Sequence, residues 1–72
     1  MCDIVGILKS WTDDNGAMCA KLELQCSTAY DLPYKDEVVG GFKTKPGSMA
    51  QIIQADTFVT LDADGTWYPE QS

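Results

Sequence analysis

Turn-forming residues cut this chain into short runs, and within the runs the apolar residues alternate instead of recurring at helical spacing. Asp13-Asp14-Asn15-Gly16, Thr44-Lys45-Pro46-Gly47 and Asp62-Ala63-Asp64-Gly65 are tight-turn sequences. No window of about a dozen residues keeps apolar residues three and four apart without glycine or proline intervening. A chain patterned this way is predicted to be all-β. The best run is Ala17 to Cys26, where Met18, Ala20, Leu22, Leu24 and Cys26 share one side and Lys21, Glu23 and Gln25 the other.

The first turn predicts a register. Pairing Thr12 with Ala17 sets Trp11 opposite Met18, Ile7 opposite Leu22 and Val5 opposite Leu24, which places the large apolar pairs on one face. Ile4, Leu8 and Cys19 then fall on the other face, which suggests that a neighbouring molecule partly covers it. Beyond the hairpin, Ser27 to Pro33 reads as one helical turn near residues 27–32, stopped by proline. Tyr34 to Glu37 is a polar loop, and Val38 to Lys43 a short strand bent at Gly40-Gly41. Strands are predicted at Ser48 to Gln54, at Thr57 to Leu61 and at Thr66 to Tyr68, with Pro69 ending the pairing and Glu70-Gln71-Ser72 a polar tail. The expected architecture is a small antiparallel meander or partly open barrel of five to six short strands.

With 72 residues there is room for one domain, divided into a hairpin (2–26), a connector (27–37) and C-terminal strands (38–69). So short a chain often needs a disulfide, a metal or a partner for stability. Apolar residues form 44% of it, too many for a disordered segment. Cys2, Cys19 and Cys26 are an odd set with no Cys-x-x-Cys spacing, and three reduced thiols are the expectation. Cys19 and Cys26 lie on opposite hairpin faces; Cys2 can approach Cys26 only near the open end.

Charge narrows the function classes. Eleven acidic residues against five lysines give a net charge of -6, with neither arginine nor histidine. Nucleic-acid and anionic-membrane partners are not expected. Without imidazole, the Ser-His and Cys-His arrangements of nucleophilic catalysis are excluded, and with them the commonest metal ligand. Asp62-x-Asp64-Gly65 shares part of a calcium-loop pattern but lacks its closing glutamate, and a hairpin turn explains it. No enzyme, cofactor or metal is expected. The opening residues lack a basic leader and a long apolar stretch, so synthesis in a host cytoplasm is expected. Among the aromatics, Trp11, Phe58 and Trp67 are assigned to the core, and Tyr30, Tyr34 and Tyr68, near loops or strand ends, to partner contact together with Ile4 and Leu8.

The second half carries a resemblance. Pro46-Gly47-Ser48-Met49-Ala50-Gln51-Ile52-Ile53, followed by Phe58 to Leu61 and Asp62-Ala63-Asp64-Gly65-Thr66-Trp67-Tyr68, resembles small proteins encoded beside capsid genes in tailed bacteriophages and prophages of Gram-positive bacteria. The upstream Ser27 to Pro33, with its Asp-Leu-Pro, is similar too, so the likeness covers about residues 26 to 69. It implies a virion component: a head-associated decoration or fibre-base protein that binds the major capsid protein or another virion protein, as a homo-oligomer or in a symmetric array. The alternative is a free intracellular binding module encoded by the same kind of element. The family brings no catalytic residues.

Overall fold

The computed structural model describes residues 2–69; the polar tail at 70–72 lies outside the described residues. Seven strands form one sheet: β1 (Cys2–Thr12), β2 (Met18–Cys26), β3 (Val38–Val39), β4 (Phe42–Thr44), β5 (Met49–Ile52), β6 (Thr57–Leu61) and β7 (Trp67–Pro69). A lone 3-10 turn covers Ala29–Asp31. The all-β class and the single helical turn before Pro33 are as expected. Connectivity is less simple than a meander, since the order is β3-β4-β2-β5-β6-β7 with β1 on the free edge of β2. The sheet is mixed and does not close.

β2 is the axis of the sheet. One edge pairs antiparallel with β1; the other pairs in parallel with β4 and then with β5. β4 and β5 are thus two pieces of one line, interrupted by the Lys45–Ser48 turn. Gly47 takes the positive φ (97°) expected at the third position of a Pro-Gly turn. The interruption would orphan backbone groups on β2, and the turn itself repairs this. Lys45 N–H donates to the Ala20 carbonyl (3.0 Å). Ser48 Oγ accepts from Leu22 N–H (2.9 Å) and donates to the Lys45 carbonyl (2.7 Å). Ser48 is fully buried, so its hydroxyl stands in for a missing strand residue.

Reaching a parallel position requires the chain to return along the sheet after β2. Residues 27–37 make that return and cover one face. Leu32 packs on the core, Pro33 is buried, and the Pro33 carbonyl accepts the indole N–H of Trp67 (2.8 Å). Beneath them lie Ala20, Leu22, Leu24, Cys26, Ala50, Ile52 and Val59, with Cys2, Ile4, Val39, Phe42 and Trp67 at the margin. Val38 to Lys43 is a hairpin, not a bent strand. Gly40 and Gly41, at φ 60° and 87°, make the two-residue turn joining β3 to β4. Ile4 Cδ1 sits 2.6 Å from where a Cβ on Gly40 would stand, so a side chain there would also collide with the core margin.

The hairpin register departs from the expected one at both ends. The first loop spans Asp13 to Ala17, because the Asp13 carboxylate accepts from the Asn15 and Ala17 amides (2.9 and 2.8 Å) and Asp13 N–H reaches the Ala17 carbonyl. Thr12 therefore pairs with Met18 and Trp11 with Cys19. A bulge between Ile7 and Lys9 restores Ile7 opposite Leu22, and a second between Ile4 and Gly6 sets Ile4, not Val5, opposite Leu24. Each bulge absorbs one residue and reverses the faces beyond it. Ile4 thus turns inward and Val5 outward. Ile7 keeps its predicted partner but remains half exposed, as do Val5 and Met18. The expectation of three reduced thiols is corrected: the slipped register pairs Cys2 directly with Cys26, Cα atoms 4.1 Å apart, and they form a disulfide. Cys19 is a free, buried thiol.

Candidate docking face

The connector covers one face of the sheet and leaves the other open. Alternation along each strand decides which side chains stand there. On β2 they are Lys21, Glu23 and Gln25, on β5 Met49 and Gln51, on β6 Phe58 and Thr60, on β7 Tyr68. Pairing aligns Gln25, Gln51 and Phe58 in one row, and Glu23, Met49, Thr60 and Tyr68 in the next. Val5 reaches this face through its bulge. Between Val5 and Phe58 lies a shallow groove of about 90 Å³ floored by the β2 and β5 backbones. Val5 is 57% and Phe58 49% exposed.

Polar groups are interleaved. Gln25 Nε2 donates to Gln51 Oε1 (3.3 Å) across the groove floor. Glu23 lines the groove, and its carboxylate lies over Gly6, with Oε2 3.0 Å from where a Cβ on Gly6 would stand. At the far end of the face, Tyr68 OH donates to Asp64 Oδ2 (2.8 Å) while Thr66 N–H donates to Asp64 Oδ1 (2.8 Å). The Thr66 amide first, and the Tyr68 hydroxyl second, hold the Asp64 carboxyl below its ordinary range; the same hydrogen bond pushes the Tyr68 hydroxyl up.

The five residues predicted for partner contact do not form one site. Tyr30 (99% exposed) and Tyr34 stand on the connector, across the sheet from Tyr68. Leu8 is exposed in the bulge that faces Lys21. Ile4 belongs to the core margin. Only Tyr68 shares the open face. Phe58, assigned from sequence to the core, stands outside, because Val59 and Leu61 take the inward positions of β6. Trp11 is half-buried but apart from the core, with Lys9 Nζ 5.9 Å from its ring centre. Val5, Glu23 and Met49 were missed for different reasons. Val5 needed the bulge. Met49 was legible from parity with Ala50 and Ile52. Glu23 was placed on the polar side of its strand but given no role.

Among the described residues there is no group of three or more metal-ligating side chains, and no helix long and apolar enough to cross a membrane. Comparison with protein-family models, with curated proteins and with solved structures found no match to this chain.

Proposed function

We propose that this chain is a non-enzymatic binding domain that docks through the open face of its sheet, as a small structural protein of a bacteriophage virion. The observation that carries the docking role is the exposed set Val5, Phe58 and Tyr68 on a face no part of the described chain covers. A two-layer domain ordinarily buries both apolar surfaces against its own elements. Here one layer is supplied within the chain and the other by a partner. The virion assignment rests on the resemblance of residues 26 to 69 to capsid-adjacent phage proteins, with a capsid or other virion protein as partner and repeated copies supplying avidity. A net charge of -6 suits an outer position better than one facing packaged DNA.

The test is to express a tagged copy during growth of the encoding phage, purify virions on a density gradient and quantify the tag by mass spectrometry. The expected result is many copies per virion, co-sedimenting with heads. A chain found only in the soluble fraction, and monomeric by light scattering, would overturn the virion role in favour of a free intracellular binding module.

A further inference from the structure

We infer that the groove between Val5 and Phe58 recognises a short protein segment in which an aliphatic side chain is followed or preceded by lysine or arginine. This rests on reading the chain as a binding domain and names the chemistry of its partner. Size sets the first limit. At about 90 Å³ the groove is well below the roughly 300–1,000 Å³ of small-molecule sites, and it has room for one side chain. Its walls, Val5, Met49 and Phe58, call for an aliphatic group. The Gln25–Gln51 pair gives the floor one amide bridge with further donors and acceptors for a passing backbone.

Charge sets the second limit. Glu23 is the only ionisable residue lining the groove, and its carboxylate has no hydrogen bond or ion pair among the described residues. Four of the chain's five lysines have partners elsewhere, and the fifth, Lys21, two residues before Glu23 on the same side of β2, packs away from the groove. Lys9 lies over Trp11, and Lys21 lies along Gly47. Lys35 donates to the Ala63 carbonyl, while Lys43 and Lys45 pair with Asp13 and Asp36. None lines the groove. A carboxylate at the rim of an apolar slot, on a molecule of net charge -6, attracts a cationic neighbour and repels an acidic one. An aliphatic residue next to a lysine or arginine satisfies both limits at once.

The test uses the full oxidised chain, ¹⁵N-labelled, titrated with two capped pentapeptides: leucine flanked by lysines, and leucine flanked by glutamates. The lysine peptide is expected to shift the amides of Val5, Glu23, Gln51 and Phe58 saturably, and the glutamate peptide to bind at least about fivefold more weakly. Glu23→Gln, with an unchanged melting temperature, should weaken the lysine peptide about threefold to fivefold, the upper part of the range of an exposed ion pair. Phe58→Ser should abolish the shifts. Equal binding of the two peptides, shifts centred on Tyr30 and Tyr34, or no shift at millimolar peptide would overturn the assignment. A chain that sediments with virions yet shows no peptide preference loses the groove assignment and keeps the virion role. A chain that shows the preference but stays out of virions does the reverse.

Discussion

Asp64 closes the last hairpin with both carboxylate oxygens, one on the Thr66 amide and one on the Tyr68 hydroxyl. Because that hydroxyl donates to an anion, ionising it would put two negative charges in contact, which pushes the Tyr68 hydroxyl above its ordinary value of 10.0. The sign for stability follows. The folded state holds the Tyr68 proton more tightly than the unfolded one, so the contribution is complete below pH 10 and is lost as pH rises through the folded value. Asp64 works in the opposite direction: its contribution is present above the unfolded value of 3.8 and is lost as pH falls through the lower folded value. Asp64→Asn removes the anion. In a near-ultraviolet absorbance titration, the Tyr68 transition should move down toward its ordinary value in Asp64→Asn. An unchanged titration curve would mean that the hydroxyl does not meet this carboxylate in solution. The turn around Asp64 was legible, since Asp-x-Asp-Gly is turn chemistry. The bond to Tyr68 was not, because it depends on which side of β7 the ring stands.

At the scale of elements, β1 is an edge strand with weak cover. Its central residue Ile7 is half exposed although it pairs with Leu22. Its amino end is instead fixed covalently by Cys2–Cys26 and laterally by Ile4 under Gly40. The bridge closes a loop with a sequence separation of 24, for which the chain-entropy model gives about 3.5 kcal/mol. In a domain of this size that amounts to more than about 10 °C in melting temperature. Thermal unfolding with and without a phosphine reductant should show that difference, and Cys26→Ser should melt like the reduced protein and stop responding to reductant. A melting temperature indifferent to reductant in the native chain would mean the pair is not bridged. Sequence reading could bring Cys2 near Cys26 but not pair them, because that pairing needs two bulges and neither leaves a composition signal: Val5 and Leu8 are ordinary strand residues. The parallel pairing of β2 with β4 and β5 was hidden for a related reason. Hairpin turns announce antiparallel neighbours locally, whereas a parallel neighbour is chosen by the return path of a connector whose packing residues, half-buried Leu32 and buried Pro33, read only as the end of a helical turn.

On the scale of the whole molecule, 36 × 21 × 18 Å, one sheet has a single covered face, so stability and the proposed docking fall to opposite sides of the same strands. The division predicts opposite responses from adjacent residues. Ile4→Asp puts a charge beneath the β3–β4 turn against Leu24 and should cost about 2–4 kcal/mol in urea unfolding under oxidising conditions. Val5→Asp puts the same charge on the open face and should stay within about 0.5 kcal/mol of the native chain, the range of ordinary surface changes. The regular register drawn from the turn sequence demands the reverse order, with Val5 opposite Leu24 the damaging site. These two substitutions therefore read the bulge directly, without a partner in hand. If Val5→Asp proves the more destabilising, Val5 is in the core, and the groove keeps only Met49 and Phe58 as apolar walls. If Ile4→Asp does, the face is free to bind at no cost to folding, as an assembly that captures its subunits already folded requires.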